Sequence, residues 1–275
     1  MKKYWFVFCK SDIVLVKHPD GTYSVPLSEY PPIAVKPWTT VHHITIPDTL
    51  SSGFGDYTLN EVGAFSIVNP VSEDETPEGT FDNGQVLTMC PLRQSFYKLS
   101  NAQYLMAGKC YEMLYWDQNT KYCGVCGAPM KMHTEISKRC TECGKEIWPQ
   151  LATAVIVLIH RGDEILLVRA RNFRGDFYGL VAGFVETGET LEEAVVREVH
   201  EETGIEITNI RYFASQPWPY PSGLMVGFHA DYVAGEIHLQ RSELSSGGWF
   251  RKDNLPHIPE KLSIARRLID SWLST

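Results

Sequence analysis

Apolar positions fall into short runs and two helical patterns. The runs Tyr4–Cys9, Ile13–Lys17 and Val41–Pro47 have strand length. Asn101–Trp116 carries Leu105, Met106, Tyr111, Met113 and Leu114 at helical spacing, which predicts a helix with one apolar side. Ala152–Ile159 and Glu164–Arg169 are apolar runs split by His160-Arg161-Gly162-Asp163, a hairpin signal. Further strands are predicted at Met225–Tyr232 and Glu236–Gln240. A last helix is predicted over Lys261–Leu273, with Leu262, Ala265, Leu268, Ile269 and Leu273 on one side. Asn69–Asn83, rich in Pro, Glu, Asp, Thr and Gly, reads as a loop.

Within residues 183–205, Thr190 and Glu193 form a capping box that starts a helix, and Gly204 is placed to end it. Val195, Val196 and Val199 predict a face docked on a sheet. Glu198, Glu201 and Glu202 lie within about 100° of one another on another face. Three carboxylates this close repel unless something positive sits among them, and oxygen-rich sets suit Mg2+ or Mn2+. Arg197, four residues before Glu201, can hold a carboxylate in place. Gly183 and Gly188 bracket a loop able to approach a phosphate or a metal.

Composition adds the second piece of chemistry. Cys123-Gly-Val-Cys126 and Cys140-Thr-Glu-Cys143 are thirteen residues apart, and each knuckle is followed by Gly. Such a pair can wrap one tetrahedral ion, so a structural Zn2+ held by Cys123, Cys126, Cys140 and Cys143 is expected, one per chain. A closed four-thiolate site leaves no position for substrate. Cys9, Cys90 and Cys110 read as small buried apolar residues. An odd count of seven cysteines argues against a disulfide framework. With six apolar residues after Lys3 read as a strand rather than a leader, the expected compartment is cytoplasmic. No apolar run is long enough to span a membrane. His42 and His43, as strand neighbours, face opposite sides and do not share a metal.

The formal net charge is −8, from 25 basic and 33 acidic residues. That argues against a basic stripe for nucleic acid. Between Gly183 and Glu206, however, stand eight glutamates and one arginine. Nearly all the excess belongs to that stretch, where bound cations would offset it. The rest of the surface neither recruits nor repels RNA.

The whole pattern, Gly183, five residues, Glu189, seven residues, then Arg197-Glu198-Val199-His200-Glu201-Glu202-Thr203-Gly204-Ile205, resembles the Nudix box at every defined position. Ser215-Gln216-Pro217-Trp218-Pro219-Tyr220-Pro221-Ser222-Gly223 follows it. Three prolines there restrict the backbone, so Trp218 and Tyr220 offer rigid aromatic surface for a flat ring. This segment, the Ala182-Gly183-Phe184 opening and the upstream four-Cys ribbon together resemble the NADH pyrophosphatase subfamily over about residues 93–275. Tyr220 replaces the usual Phe, and Gly223 the usual Ser, removing a hydroxyl.

The resemblance implies an α+β chain: a Nudix α/β/α sandwich (150–275) preceded by a four-Cys zinc ribbon (121–149) and a mixed α/β N-terminal domain (1–120). It implies that Glu198, Glu201, Glu202 and Glu243, with the carbonyl of Ala182, bind more than one Mg2+ or Mn2+. It implies that Gln216, Pro217, Trp218, Pro219, Tyr220, Pro221, Ser222 and Gly223 line the substrate. Arg93, Glu135, Trp148 and Ala265 match further substrate positions; Glu135 and Ala265 rest on the resemblance alone. Ribbon residues at the substrate suggest a homodimer. The implied reaction is hydrolysis of the NADH, and more weakly NAD+, pyrophosphate bond to nicotinamide mononucleotide and AMP. Removal of NAD caps from RNA 5′ ends is the same chemistry. The third reading is a zinc-ribbon binding module on an inactive Nudix scaffold.

Overall fold

The computed structural model describes residues 2–54, 60–67, 79–80, 86–171 and 175–275, with backbone only at 79–80. The chain divides into two compact units, Met1–Gln150 and Leu151–Thr275. Asn69–Asn83 lies outside the described residues except for the strand pair Gly79–Thr80.

In the first unit, β1 (Lys3–Cys9), β2 (Asp12–Lys17), β3 (Tyr23–Ser24), β4 (Leu27–Ser28), β5 (His42–Thr45), β6 (Glu61–Ile67), β7 (Gly79–Thr80) and β8 (Val86–Pro91) make one sheet. Its main path runs β5-β6-β1-β2-β8-β7, with β1 and β6 parallel. A short helix α1 (Asp48–Ser51) follows β5. Trp5, Val7, Val14, Val16, Phe65 and Leu87 bury one face. Helix α2 (Asn101–Asn119), capped by Ser100, sets Tyr111 against Phe8, with ring centroids 5.4 Å apart. His42 is buried and His43 exposed, the alternation a strand requires. Cys90 and Cys110 are buried, and Cys9 is half-buried. Then β9 (Met130–Thr134), β10 (Ser137–Cys140) and β11 (Glu146–Ile147) form a three-stranded antiparallel sheet ordered β11-β10-β9.

In the second unit, β12 (Ala152–Arg161), β13 (Glu164–Ala170), β14 (Val181–Phe184), β15 (Glu206–Pro217), β16 (Gly223–Ala234) and β17 (Leu244–Arg251) form a mixed sheet ordered β15-β16-β12-β13-β17, with β14 also on β12. Within this sheet only β12 and β16, among the described strands, pair in parallel. The continuous apolar runs of β12 and β13 arise because both faces are covered. Val155, Val157, Ile159, Leu166 and Val168 pack with Ala194, Val195 and Val199 of helix α3 (Leu191–Thr203). Ile156, Leu158, Ile165 and Leu167 pack with helix α4 (Ile264–Leu273) on the other face. The result is an α/β/α sandwich. Among the described residues no helix is long and apolar enough to cross a membrane.

Two expectations change. Val196 is 47% exposed, because it lies one residue, about 100°, from buried Val195. Glu236–Gln240 is not a strand: its amides at His238 and Gln240 donate to the carbonyls of Thr203 and Glu202, tying the segment to the end of α3. Strand β16 pairs with β15, a long polar edge strand whose register with it shifts three times.

Candidate active site

Helix α3 starts and ends where its caps dictate. Thr190 Oγ1 accepts from the Glu193 amide at 3.2 Å, and the Glu193 carboxylate accepts from the Thr190 amide at 2.8 Å. Gly204 adopts φ 73°, and its amide donates to the His200 carbonyl. With Val195 and Val199 turned into the sheet, Glu202 is drawn down beside them to 5% exposure, while Glu201 stays 54% exposed by side chain.

Arg197 organises this end. It donates to both oxygens of Glu189, to Glu198 Oε1 (2.8 Å), to Glu201 Oε2 (3.2 Å) and to the Phe184 carbonyl (2.9 Å). Loop and helix are thereby one unit. Arg197 beside it, with the Glu186 amide, holds the Glu189 carboxyl down at about 2. Glu198 is pushed up by burial against the opposing pull of Arg197, with Glu201 and Glu243 adding to the rise.

Glu202 stands apart. Burial first, then the charges of Glu198, Glu243 and Glu201, raise its carboxyl to about 8. Its carboxylate finds no hydrogen-bond donor among the described residues. Glu243 reaches this cluster because the Glu202 and Thr203 carbonyls hold the chain at Gln240 and His238, and the Glu243 amide then turns back onto the Gln240 carbonyl. The four carboxylates offer the oxygen donors a hard divalent ion takes, while among the described residues the group whose ligand atoms all close to within 4.8 Å is the four cysteines.

Strand register brings the remaining residues to one end of the sheet. Ala154 pairs with Phe184, Ile156 with Ala182, and Ala152 with Gly223. The box loop leaving β14 and the turn joining β15 to β16 therefore both emerge at the start of β12. In that turn the Trp218 amide donates to the Gly223 carbonyl at 2.8 Å, and the Trp218 and Tyr220 rings meet edge to face, 5.1 Å between centroids. Pro219 is buried; Pro217 and Pro221 are exposed, and Ser222 is half-buried. Gly223 is packed tightly, since a Cβ there would lie 3.1 Å from the Ala152 carbonyl oxygen and 3.3 Å from that of Trp218. Gln216 turns its amide onto the start of α4, where Ala265 lies buried.

The model of the NUDIX domain matches residues 149–272. A "NAD-capped RNA hydrolase NudC" from Pseudomonas aeruginosa (strain LESB58) is 43% identical over 189 residues, covering 68% of this chain and 68% of that one. The chain belongs to the NADH pyrophosphatase family of Nudix hydrolases. A second NudC, from Photorhabdus laumondii, is 46% identical over 191 residues, 68% of this chain and 73% of its own length. Among solved structures, a NUDIX hydrolase from Nitrosomonas europaea aligns with a TM-score of 0.48 at 20% identity, over 56% of this chain and 91% of that one. The chain is a Nudix hydrolase acting on a diphosphate.

This Nudix hydrolase also gathers the four cysteines. The ligand sulfurs of Cys123, Cys126, Cys140 and Cys143 all lie within 4.8 Å of one another. Cys123 and Cys143 Sγ are 3.6 Å apart, and Cys126 and Cys140 Sγ 3.4 Å. Amides of Cys143 and Glu142 donating to Cys140 lower its thiol to about 6. Gly127 (φ 73°) and Gly144 (φ 72°) make the two tight turns. Thiolates this close, with amides aimed at sulfur, fit a tetrahedral soft-ligand ion such as Zn2+. Of the outlying positions, Trp148 is 53% exposed and Arg93 sits exposed before the turn Gln94–Tyr97. Glu135 is committed within its own unit: it accepts from the Thr45 amide (2.6 Å) and hydroxyl (2.7 Å). Sequence reasoning missed Lys138. It is buried and bonded to Asp117 Oδ1 at 2.7 Å and to the carbonyls of Asp117 and Thr120. A lysine amid exposed ribbon residues gives no sequence signal of burial.

Proposed function

We propose that this enzyme hydrolyses the pyrophosphate bond of NADH to reduced nicotinamide mononucleotide and AMP, and more weakly that of NAD+ to nicotinamide mononucleotide and AMP. The observation that carries the reading is the shared sheet end: the rigid aromatic turn Pro217–Gly223 and the Glu198/Glu202/Glu243 cluster both border the start of β12. A flat ring seated on Trp218 and Tyr220 leaves the diphosphate to reach the carboxylates.

Glu198, Glu201, Glu202 and Glu243, with the Ala182 carbonyl, are the residues that would hold Mg2+ or Mn2+. Such ions supply neutralisation of the diphosphate and a water of lowered pKa. Among the protein's own groups, Glu201, Glu202 or Glu243 takes the proton from the attacking water. Arg197 holds Glu198 and the loop in place without spending its charge on substrate, since its donors are turned to Glu189, Glu198, Glu201 and Phe184. Pro217–Gly223 and Ala265 line the bound dinucleotide, with the backbone of Gln216 at the edge of that turn. Zn2+ in the four-cysteine cluster is structural, one per chain.

A second reading is favoured by the relatives, which are NAD-capped RNA hydrolases by name: the same bond is cut where NAD is the 5′ end of an RNA. The test compares kcat/KM on free NADH and on NAD-capped RNA, with products identified by mass. Reduced NMN and AMP from NADH support the first reading. NMN with 5′-monophosphate RNA at much higher efficiency supports the second. Absence of hydrolysis of either with Mg2+ and Mn2+ leaves the binding-module reading in place. We further propose a cytoplasmic homodimer organised as domains 1–120, 121–149 and 150–275. The free cysteines support a reducing compartment. Exposed Trp148 supports a ribbon surface offered to a second subunit.

A further inference from the structure

The carboxamide of Gln216 is fully used inside the protein. Its Nε2 donates to the Leu262 carbonyl at 2.8 Å, and its Oε1 accepts from the Ile264 amide at 2.6 Å. Only one orientation of the amide satisfies both partners. The first four amides of a helix lack intrahelical partners. In α4, Ser263 serves Arg266 through its hydroxyl (3.3 Å) and Arg267 through its carbonyl (3.2 Å), while Gln216 serves Ile264. Leu262 and Ile264 are both buried, so water cannot take the place of the carboxamide.

The helix start is also fixed from below. Gly227 pairs with Ile156, and Ile156 with Ala182, in one row across the sheet. Ile264 fills the space above Gly227: a Cβ there would lie 2.9 Å from Ile264 Cδ1. Ala182 packs in the same apolar cluster as Ile264 and Ala265. The first turn of α4 thus sits on the strand row that carries the box opening, and the Gln216 side chain ties it to the Gln216–Gly223 segment.

We propose that Gln216 is a positioning residue: by taking both hydrogen bonds at the start of α4, it joins the substrate-lining turn and the first turn of α4, with Ala265, into one fixed wall of the dinucleotide site. Its amide does not reach the substrate. This rests on the proposed function for the identity of the substrate, and on the hydrogen bonds alone for the clamp. The carboxylate cluster on α3 lies on the opposite face of the sheet, so loss of the clamp weakens binding and leaves the chemical step intact.

The test uses the full chain and two variants. Gln216→Met keeps length and removes both bonds. It is expected to raise KM for NADH about tenfold with kcat within about twofold, the signature of lost uniform binding. Amide exchange across residues 262–268 should quicken in the same variant. Gln216→Glu carries the same donor and acceptor as the carboxamide only when protonated. Relative to wild type at each pH, its KM should approach parity in acid and climb to the Gln216→Met value as the carboxyl ionises. This variant also decides the matter if Gln216→Met fails to fold. Unchanged KM, a fall in kcat at unchanged KM, or unaltered exchange over 262–268 overturns the proposal. A wild type that hydrolyses no dinucleotide overturns the functional reading instead, and exchange then judges the clamp.

Discussion

Gly183 lies directly against Glu198: a Cβ on residue 183 would stand 2.0 Å from the Glu198 carboxylate carbon and Oε1. The glycine that opens the box is required by a side chain on α3 and not by its own backbone angles. Gly188, at the other end of the loop, is the reverse case, with φ 96° and nothing within 4 Å of its Cβ position. Gly183→Ala should therefore displace Glu198 and cut kcat/KM by at least about tenfold, with a weaker response to Mn2+. Gly188→Ala should cost about 1 kcal/mol of stability through backbone strain and keep most activity. Manganese titrations of rate, with thermal melts of both variants, separate the two roles. Equal losses in both would contradict the distinction.

Glu202 couples chemistry to stability. Its folded carboxyl is raised to about 8 from an ordinary 4.5. A carboxyl raised on folding contributes stability that is full below the unfolded value and lost as pH climbs through the folded one. The metal-free enzyme should therefore lose stability from about pH 4.5 to about pH 8. Glu202→Gln should melt higher than wild type at alkaline pH without metal, and lose turnover by orders of magnitude with it. Melts with and without Mg2+, paired with NADH assays, check both halves. A variant that stays folded and nearly as active as wild type sinks the assignment of Glu202 to the site.

The ribbon is bonded to α2 and β5 by buried charge. Lys138 bonds Asp117, and Asp117 lies 3.3 Å from His42 Nε2. Burial pushes the Asp117 carboxyl up, and hydrogen bonds from His42 and Lys138 overrule it, taking it down to about 2. Removing one member strands the other's charge. Wild type should carry about one zinc per chain by metal analysis. Cys123→Ser with Cys126→Ser should abolish it, and Lys138→Met should lower the melting temperature of the first unit while zinc is retained. Retained zinc in the double cysteine variant would refute the four-thiolate site.

What the sequence disclosed was local or periodic. The capping box of Thr190 and Glu193, the turn at Gly204 and the two Cys knuckles depend on neighbours within a few residues, and each appears in the structure as its spacing dictates. The hairpin of the apolar runs Ala152–Ile159 and Glu164–Arg169 was equally legible. Long-range consequences were not. The Glu236–Gln240 segment has strand-like residues, yet carbonyls at the end of α3 capture its amides. Strand β15 is half polar because it is an edge, so alternation does not reveal it. The partners of the Gln216 carboxamide, 46 and 48 residues away, leave no local pattern either.

His160 and His229 form a pair that the reaction does not use. His160 Nε2 is 2.9 Å from His229 Nδ1, the rings are stacked, and Asp231, Arg211 and Ser271 surround them. One imidazole must donate and the other accept, so at least one stays neutral. Burial, followed by the neighbouring His160 and Arg211, lowers His229 to about 4, and burial also lowers His160. An imidazole whose folded value lies below its unfolded 6.5 takes its proton more readily in the unfolded chain. Stability from this pair is therefore full above about pH 6.5 and lost as pH falls toward 4. With saturating Mg2+, which offsets the opposing contribution of Glu202, the melting temperature of the enzyme should drop over that window, and His229→Asn should flatten the drop while leaving KM for NADH unchanged. An acid profile identical in variant and wild type would show that the pair carries no pH-dependent stability.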